Sequence, residues 1–230
     1  METAAPHPTQ LPAHVASRIL ERRGRLHLFD AFTAARTALV VVDMQNAFLE
    51  PGAPAEAPSA RAIVPAVNRT AAALRAAGGC VVWIQSAYTA SGPGAWPLYF
   101  DWMVSPALSA TILAALTEGA NGHALWPALD VQPGDLRMKK NRYSAFLPGA
   151  CDLPTTLGAR GVETVWIAGT LTNVCCESSA RDAMMAGFKT VMLSDANAAR
   201  SDEEHVTTLC NVAQFFGDVR PSYEVIPLLR

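Results

Sequence analysis

The sequence predicts an α/β fold in which a mainly parallel sheet is covered by helices on both faces. Three observations carry that expectation. From Ala38 onward, short apolar runs rich in β-branched residues alternate with segments of helical period, the pattern of strand–helix–strand crossovers. The runs lack polar alternation, as strands buried on both faces must. Half of the 230 residues are hydrophobic and 17% are charged, enough to fill a sizeable core and too apolar for a disordered chain.

Each element has its own reason. Residues 1–36, with Pro6, Pro8 and Pro12 near the start, read as an N-terminal arm holding at most a short basic amphipathic helix, Ala13–Arg23; residues 37–230 read as one domain. Ala38–Val42 is the first strand and ends at Asp43. Ala60–Ala77 has helical periodicity and stops at Gly78-Gly79. Cys80–Gln85 is the second strand, and Leu136–Lys140, after the turn Pro133-Gly134-Asp135, is the third. Thr155–Arg160 is the middle of a short helix stopped by Gly161, and Thr164–Ala168 is a strand. Cys175–Ala186 is a helix stopped by Gly187, and Thr190–Leu193 is a strand ending near Asp195. Asp202–Phe216 is a helix with acidic residues in its first turn, and Tyr223–Ile226 is the last strand. Residues 87–132 break the rhythm and carry Tyr88, Trp96, Tyr99, Phe100, Trp102 and Trp126. A connection so long and so aromatic is expected to be ordered and to wall or cover a pocket.

Composition excludes several classes. Eighteen basic and twenty acidic side chains give a net charge of −2, which offers no footprint for nucleic acid or an anionic membrane. No apolar run approaches the ~18 residues of a membrane span. The first twenty residues hold no apolar leader core, so a cytoplasmic location is expected. The five cysteines are odd in number and form no C-x-x-C, which argues against a disulfide framework, a zinc ribbon or a thioredoxin-type motif. The five histidines are scattered. No metal and no cofactor is expected.

In an open parallel sheet, ligands bind outside the carboxyl ends of the strands. Three reactive side chains fall at that edge. Asp43 ends the first strand, Lys140 ends the third, and Cys175 follows the fourth across Gly169-Thr170-Leu171-Thr172-Asn173-Val174. Thr172 or Asn173 is placed to cap the following helix. Cys175 would then lie in its first turn, where the helix dipole favours thiolate and free N–H groups can hold an oxyanion. A carboxylate sharing that crevice can act as general base, and an ammonium can hold both anions in place. Cys80, Cys210 and Cys176 read as packing residues.

These residues sit in motifs. Val40-Val41-Val42-Asp43-Met44-Gln45-Asn46-Ala47-Phe48 resembles the opening signature of the isochorismatase-like cysteine hydrolase superfamily. Lys140-Asn141-Arg142-Tyr143-Ser144-Ala145-Phe146 resembles its second motif, and Gly169 to Cys175 with Glu177-Ser178-Ser179-Ala180-Arg181-Asp182-Ala183 resembles its third. The resemblance runs from about Thr37 to Asp218, with the motifs in family order. It implies a three-layer Rossmann-like sandwich with a six-stranded, mainly parallel sheet. It implies a catalytic triad of Asp43, Lys140 and Cys175, and a cis Thr170–Leu171 peptide that turns the Leu171 N–H, with that of Cys175, toward one oxyanion.

The resemblance also bears on chemistry. Retention of Cys175 favours amide cleavage. Nicotinamidases carry an Asp-x-His metal segment after the second strand, whereas this chain reads Gln85-Ser86-Ala87-Tyr88, without a histidine, and no metal is implied. The second and third motifs and the ending Phe215-Phe216-Gly217-Asp218 are most similar to the ureidoacrylate amidohydrolase and carbamoyl-amide hydrolase branch. The expected activity is hydrolysis of a C–N bond in a small amide, ureido or carbamoyl compound through a thioester. Asn46, Phe48, Trp83, Tyr143 and Asn173 are candidate substrate contacts, of which Phe48 and Trp83 also fit a packing role. One alternative is vinyl-ether hydrolysis of an isochorismate-like acid, which would need basic residues such as Arg142 or Arg181 in the pocket. A second is a redox or binding protein using the Cys175-Cys176 pair. The Ala-rich surface and the arm make a homo-oligomer, a dimer or tetramer, the expected assembly.

Overall fold

A computed structural model describes residues 5–230. Its centre is a six-stranded, all-parallel sheet of order β3-β2-β1-β4-β5-β6. The strands are β1 (Thr37–Val42), β2 (Cys80–Ser86), β3 (Leu136–Lys140), β4 (Thr164–Thr170), β5 (Lys189–Ala198) and β6 (Asp218–Arg220). The helices, in chain order, are α1 (Ala13–Arg23), α2 (Asn46–Leu49), α3 (Val64–Ala76), α4 (Pro106–Leu116), α5 (Leu153–Ala159), α6 (Glu177–Met185), α7 (Asp202–Asn211) and α8 (Ser222–Val225). None is long and apolar enough to cross a membrane.

The strands alternate their side chains between two cores. Val40, Val42, Ile84 and Ile167 face one layer, where they meet α5, α6, α7 and the buried Val15 and Ile19 of α1. Leu39, Val41, Trp83 and Trp166 face the other, against α3 and Val225 of α8. Both faces of β1 are buried along its whole length, which is why its sequence is an unbroken apolar run.

Three readings change. The last strand is not Tyr223–Ile226. It is Asp218–Arg220, and Ser222–Val225 is helical. Asp218 is buried because it accepts from His27, from the Leu28 N–H and from Arg220, so no apolar run marks the strand. Residues 87–132 are not loop alone. They contain α4, capped by Ser105, whose hydroxyl accepts the Leu108 N–H, with Pro106 in its first turn. Cys175 precedes α6 rather than opening it, in a wide turn over Thr172–Cys176.

One glycine brings the edge together. Gly169 has φ +118°, and a Cβ there would lie 2.1 Å from the Val42 carbonyl oxygen. Only glycine lets the end of β4 close on the end of β1, one residue before Asp43.

Candidate active site

Asp43, Lys140 and Cys175 converge outside the carboxyl ends of β1, β3 and β4. Asp43 has φ +53°, the single non-glycine residue in the left-handed region among the described residues. Its N–H donates to the Ile84 carbonyl at 2.9 Å, which fixes that turn against β2. Lys140 ends β3 in register with Ser86, the last residue of β2. The Lys140 ammonium lies 2.7 Å from Asp43 Oδ2. It donates to Ser86 Oγ at 2.8 Å and to the Arg142 carbonyl at 3.2 Å, and reaches Cys175 Sγ at 3.4 Å. Ser86 Oγ in turn donates to Asp43 Oδ1 at 3.0 Å. Asp43 is 0% and Lys140 1% exposed, while Cys175 is 6% exposed. Asp43 Oδ1 and the ammonium find hydrogen-bond partners, whereas Asp43 Oδ2 is buried with the ammonium beside it and no hydrogen bond of its own.

Electrostatics sets the resting state. Burial pushes the Cys175 thiol well above its ordinary range, the adjacent Asp43 carboxylate pushes it further, and Lys140 only partly opposes them. Burial and the neighbouring acid thus oppose the thiolate that a helix N-terminus would favour at Cys175. Burial opposes the charge on Lys140, but Asp43 and Cys175 outweigh it, so the ammonium persists. Tyr143 is half-buried; burial, then Tyr99 and Cys175, push its phenol up to about 12.

Above these groups lies a cavity of about 250 Å³. Tyr88, Tyr99, Val104, Leu108, Ile112 and Leu116 wall one side, as expected of the aromatic segment. Phe48 and Tyr143 line the cavity with Leu171, Val174 and Cys175. The walls are apolar apart from tyrosine hydroxyls, the thiol and Arg200. The Arg200 guanidinium makes no ion pair or hydrogen bond among the described residues. No group of three or more His, Cys, Asp or Glu able to hold a metal occurs among the described residues.

The sequence-derived candidates divide. Phe48, Tyr143, Leu171 and Cys175 line the cavity, and the Thr170–Leu171 peptide is cis. Trp83 does not line it. It is fully buried in the core, and its indole N–H donates to Asp135 at 2.8 Å. Asn46 also lies outside the lining, its amide donating to the Asn121 carbonyl at 3.0 Å. Neither Thr172 nor Asn173 caps a helix. Thr172 Oγ1 pairs with His205 Nδ1 at 2.9 Å, and Asn173 Oδ1 is buried without a partner. The Cys176 thiol turns into the core toward the Ala168 carbonyl at 3.9 Å, away from Cys175's cavity.

Three residues, Ser86, Gln45 and Arg200, escaped the sequence reading. Ser86 joins Asp43 to Lys140. Gln45 holds Ser86 from both sides, accepting its N–H at 2.8 Å and donating to its carbonyl at 3.0 Å. Tyr88 is buried beside Ser86, and Arg200 enters from beyond β5. The position of Ser86 at a strand end was the available signal; its meaning depends on the β2–β3 register.

The isochorismatase domain profile matches residues 37–223. Over 204 residues the chain is 36% identical to ureidoacrylate amidohydrolase RutB of Methylobacterium radiotolerans, spanning 81% of this chain and 77% of that one. It is 33% identical over 235 residues to RutB of Stutzerimonas stutzeri, spanning 94% and 86%. A cysteine hydrolase from Pseudomonas syringae superposes with a TM-score of 0.78 at 31% identity, covering 88% of this chain and 96% of that one. The chain belongs to the isochorismatase family.

Proposed function

We propose that the protein is a cysteine hydrolase that cleaves the C–N bond of a small carboxylate-bearing amide, ureido or carbamoyl compound. Hydrolysis of C–N bonds is the activity its relatives carry, and ureidoacrylate unites a ureido group with a carboxylate. The observation that carries the mechanism is one ammonium within 2.7 Å of a carboxylate and 3.4 Å of a thiol beneath a cavity. The name of the similar cysteine hydrolase supports the nucleophile.

Because free thiolate is disfavoured, Asp43 takes the thiol proton as sulfur adds to the substrate carbonyl. A C–S bond forms and the carbonyl oxygen becomes an oxyanion, held by the Leu171 and Cys175 N–H groups. As the oxyanion collapses, the C–N bond breaks and protonated Asp43 gives its proton to the departing amine or ammonia. Asp43 then takes a proton from water, which attacks the thioester, and returns it to the leaving sulfur. Lys140 stays charged throughout and offsets the negative charge that moves between Asp43 and Cys175. Arg200, whose guanidinium pairs with no acid among the described residues, anchors the substrate carboxylate from the cavity wall. Tyr143 and Phe48 border the bound chain.

The vinyl-ether alternative gains no support. Arg142 lies over Trp96 and donates to main-chain carbonyls, Arg181 pairs with Glu177, and both line a separate groove. A lone Arg200 suits one carboxylate rather than two. The Cys175-Cys176 redox alternative likewise gains none, since the two thiols face opposite ways. In this reading residues 37–230 form one hydrolase domain and residues 1–36 an N-terminal arm, of which the described part, from residue 5, packs on it. All five cysteines are free, which supports a cytoplasmic location. The exposed Leu98, Trp102 and Met103 beside the cavity support a homo-oligomer.

A screen of ureido, carbamoyl and simple amide compounds for ammonia release, with Cys175→Ala as blank, tests the reading. Turnover of a ureido or carbamoyl acid by the wild type and none by the folded variant is expected. An equally active Cys175→Ala protein contradicts it.

A further inference from the structure

The family profile begins at residue 37, yet one side chain of the arm reaches the main chain next to Arg200. His7 has a side chain only 6% exposed. Its Nδ1 lies 2.6 Å from Asp202 Oδ1. A carboxylate can only accept, so Nδ1 carries a proton. Nε2 lies 3.1 Å from both the N–H and the carbonyl oxygen of Ala199, the residue immediately before Arg200, and accepts that N–H when it is itself unprotonated. The next two N–H groups, of Arg200 and Ser201, both go to Glu204 Oε2 at 3.1 Å. The ring of His7 also stacks on His205, with centroids 4.7 Å apart and 17° between planes. His205 is the partner of Thr172 in the turn that carries Cys175.

We infer that His7 is a positioning residue, and the N-terminal arm a specificity element, for the substrate carboxylate. The inference rests on the proposed role of Arg200. Without His7 the Ala199 N–H loses its partner, and the segment bearing Arg200 keeps its ties to Ser59 and Glu204 but loses its tie to the arm. Its guanidinium must then be ordered by each substrate as it binds, a cost that falls on binding of the carboxylate and not on the bond-breaking step. His205 gives the arm a second point of contact, behind the nucleophile turn, so a residue far outside the motifs touches the supports of both ends of the substrate.

The test compares a ureido acid with an uncharged alkylurea of the same length in the full chain, its His7→Phe and His7→Gln variants, and Arg200→Ala. His7→Phe keeps a ring against His205 but no acceptor for Ala199. It is expected to raise KM for the ureido acid roughly three- to tenfold, the scale of one lost hydrogen bond, with kcat within about twofold and the alkylurea unaffected. His7→Gln, whose side-chain carbonyl can accept the same N–H, should restore most of the loss. It also serves if the phenylalanine variant does not fold. Arg200→Ala should show the same selectivity more strongly. If Arg200→Ala is selective and both His7 variants match the wild type, the arm inference fails while the anchor stands. If Arg200→Ala is itself unselective, the anchor fails and the inference with it. Equal losses on both substrates accompanied by a lower Tm in the His7 variants would make His7 a packing residue and overturn the proposal.

Discussion

At the amino edge of the sheet, Arg75, Asp130, Asp135 and Cys80 lie around an open cleft of about 420 Å³. At the carboxyl edge, Lys140, Asp43 and Cys175 lie under a cavity of about 250 Å³. Both edges thus hold a cation, a carboxylate and a thiol. They differ in how completely the charges are satisfied. Asp135 accepts from Arg75 Nε at 2.8 Å and Nη2 at 3.1 Å, from Trp83 at 2.8 Å and from the Gln132 N–H at 2.9 Å. Asp130 takes a further guanidinium nitrogen at 2.9 Å. These bonds saturate the acids and leave Cys80 outside the network. At the carboxyl edge, one ammonium serves a carboxylate, a hydroxyl, a carbonyl and a thiol together, and the carboxylate abuts a thiol that can give it a proton. Residue type therefore does not distinguish the two ends. Unsaturated hydrogen-bonding capacity, aimed into a cavity, does.

That contrast can be broken at four levels of effect. Asp43→Asn removes the base and should lower kcat by roughly a thousandfold or more, while Asp135→Asn at the other edge should leave kcat within about twofold. Comparable losses in steady-state assays would erase the distinction. Ser86→Ala frees one carboxylate oxygen and one ammonium proton. It should lower kcat about 10- to 100-fold with KM nearly unchanged, and Ser86→Thr, which keeps the hydroxyl, should recover much of it. Arg75→Met should act on stability alone, costing about 1–3 kcal/mol in denaturant unfolding with kcat unaltered. The smallest effect is expected of Cys80→Ala, whose thiol has no ionised partner and whose activity should match the wild type.

How far the sequence revealed these features depends on where their signal lies. β1, β2 and β4 are buried on both faces, so burial itself writes an apolar run, and the residue that ends each run marks the carboxyl edge. Asp43 was legible for that reason, whereas Lys140 ends β3, an edge strand of alternating exposure, and was legible from its place in the second motif. Asp218-Val219-Arg220 of β6 is a strand whose acid and guanidinium pair with each other and hydrogen-bond to the arm, and such pairing leaves no apolar trace. Helix α4 was hidden because its Ala- and Leu-rich stretch was read with the aromatic segment around it, although Ser105-Pro106 is a recognisable start. Ser86 is a neutral hydroxyl whose importance comes only from standing opposite Lys140 across two strands. Arg200 and His7 acquire theirs from a contact between opposite ends of the chain, which no local pattern encodes. Helix position alone favours a thiolate at Cys175, whereas its burial and the neighbouring Asp43, which only the fold reveals, oppose it.

The central claim is that Cys175 attacks the substrate carbonyl while Asp43 and Lys140 manage the charge. Intact-mass and peptide-mapping measurements on enzyme quenched with acid during turnover of a ureido or carbamoyl acid test it most directly. A single adduct on the peptide bearing Cys175, equal to the substrate less the amine or ammonia released, and absent from Cys175→Ala, is the predicted result. Full turnover with no adduct at any quench time, together with retained activity in Cys175→Ala, would contradict it.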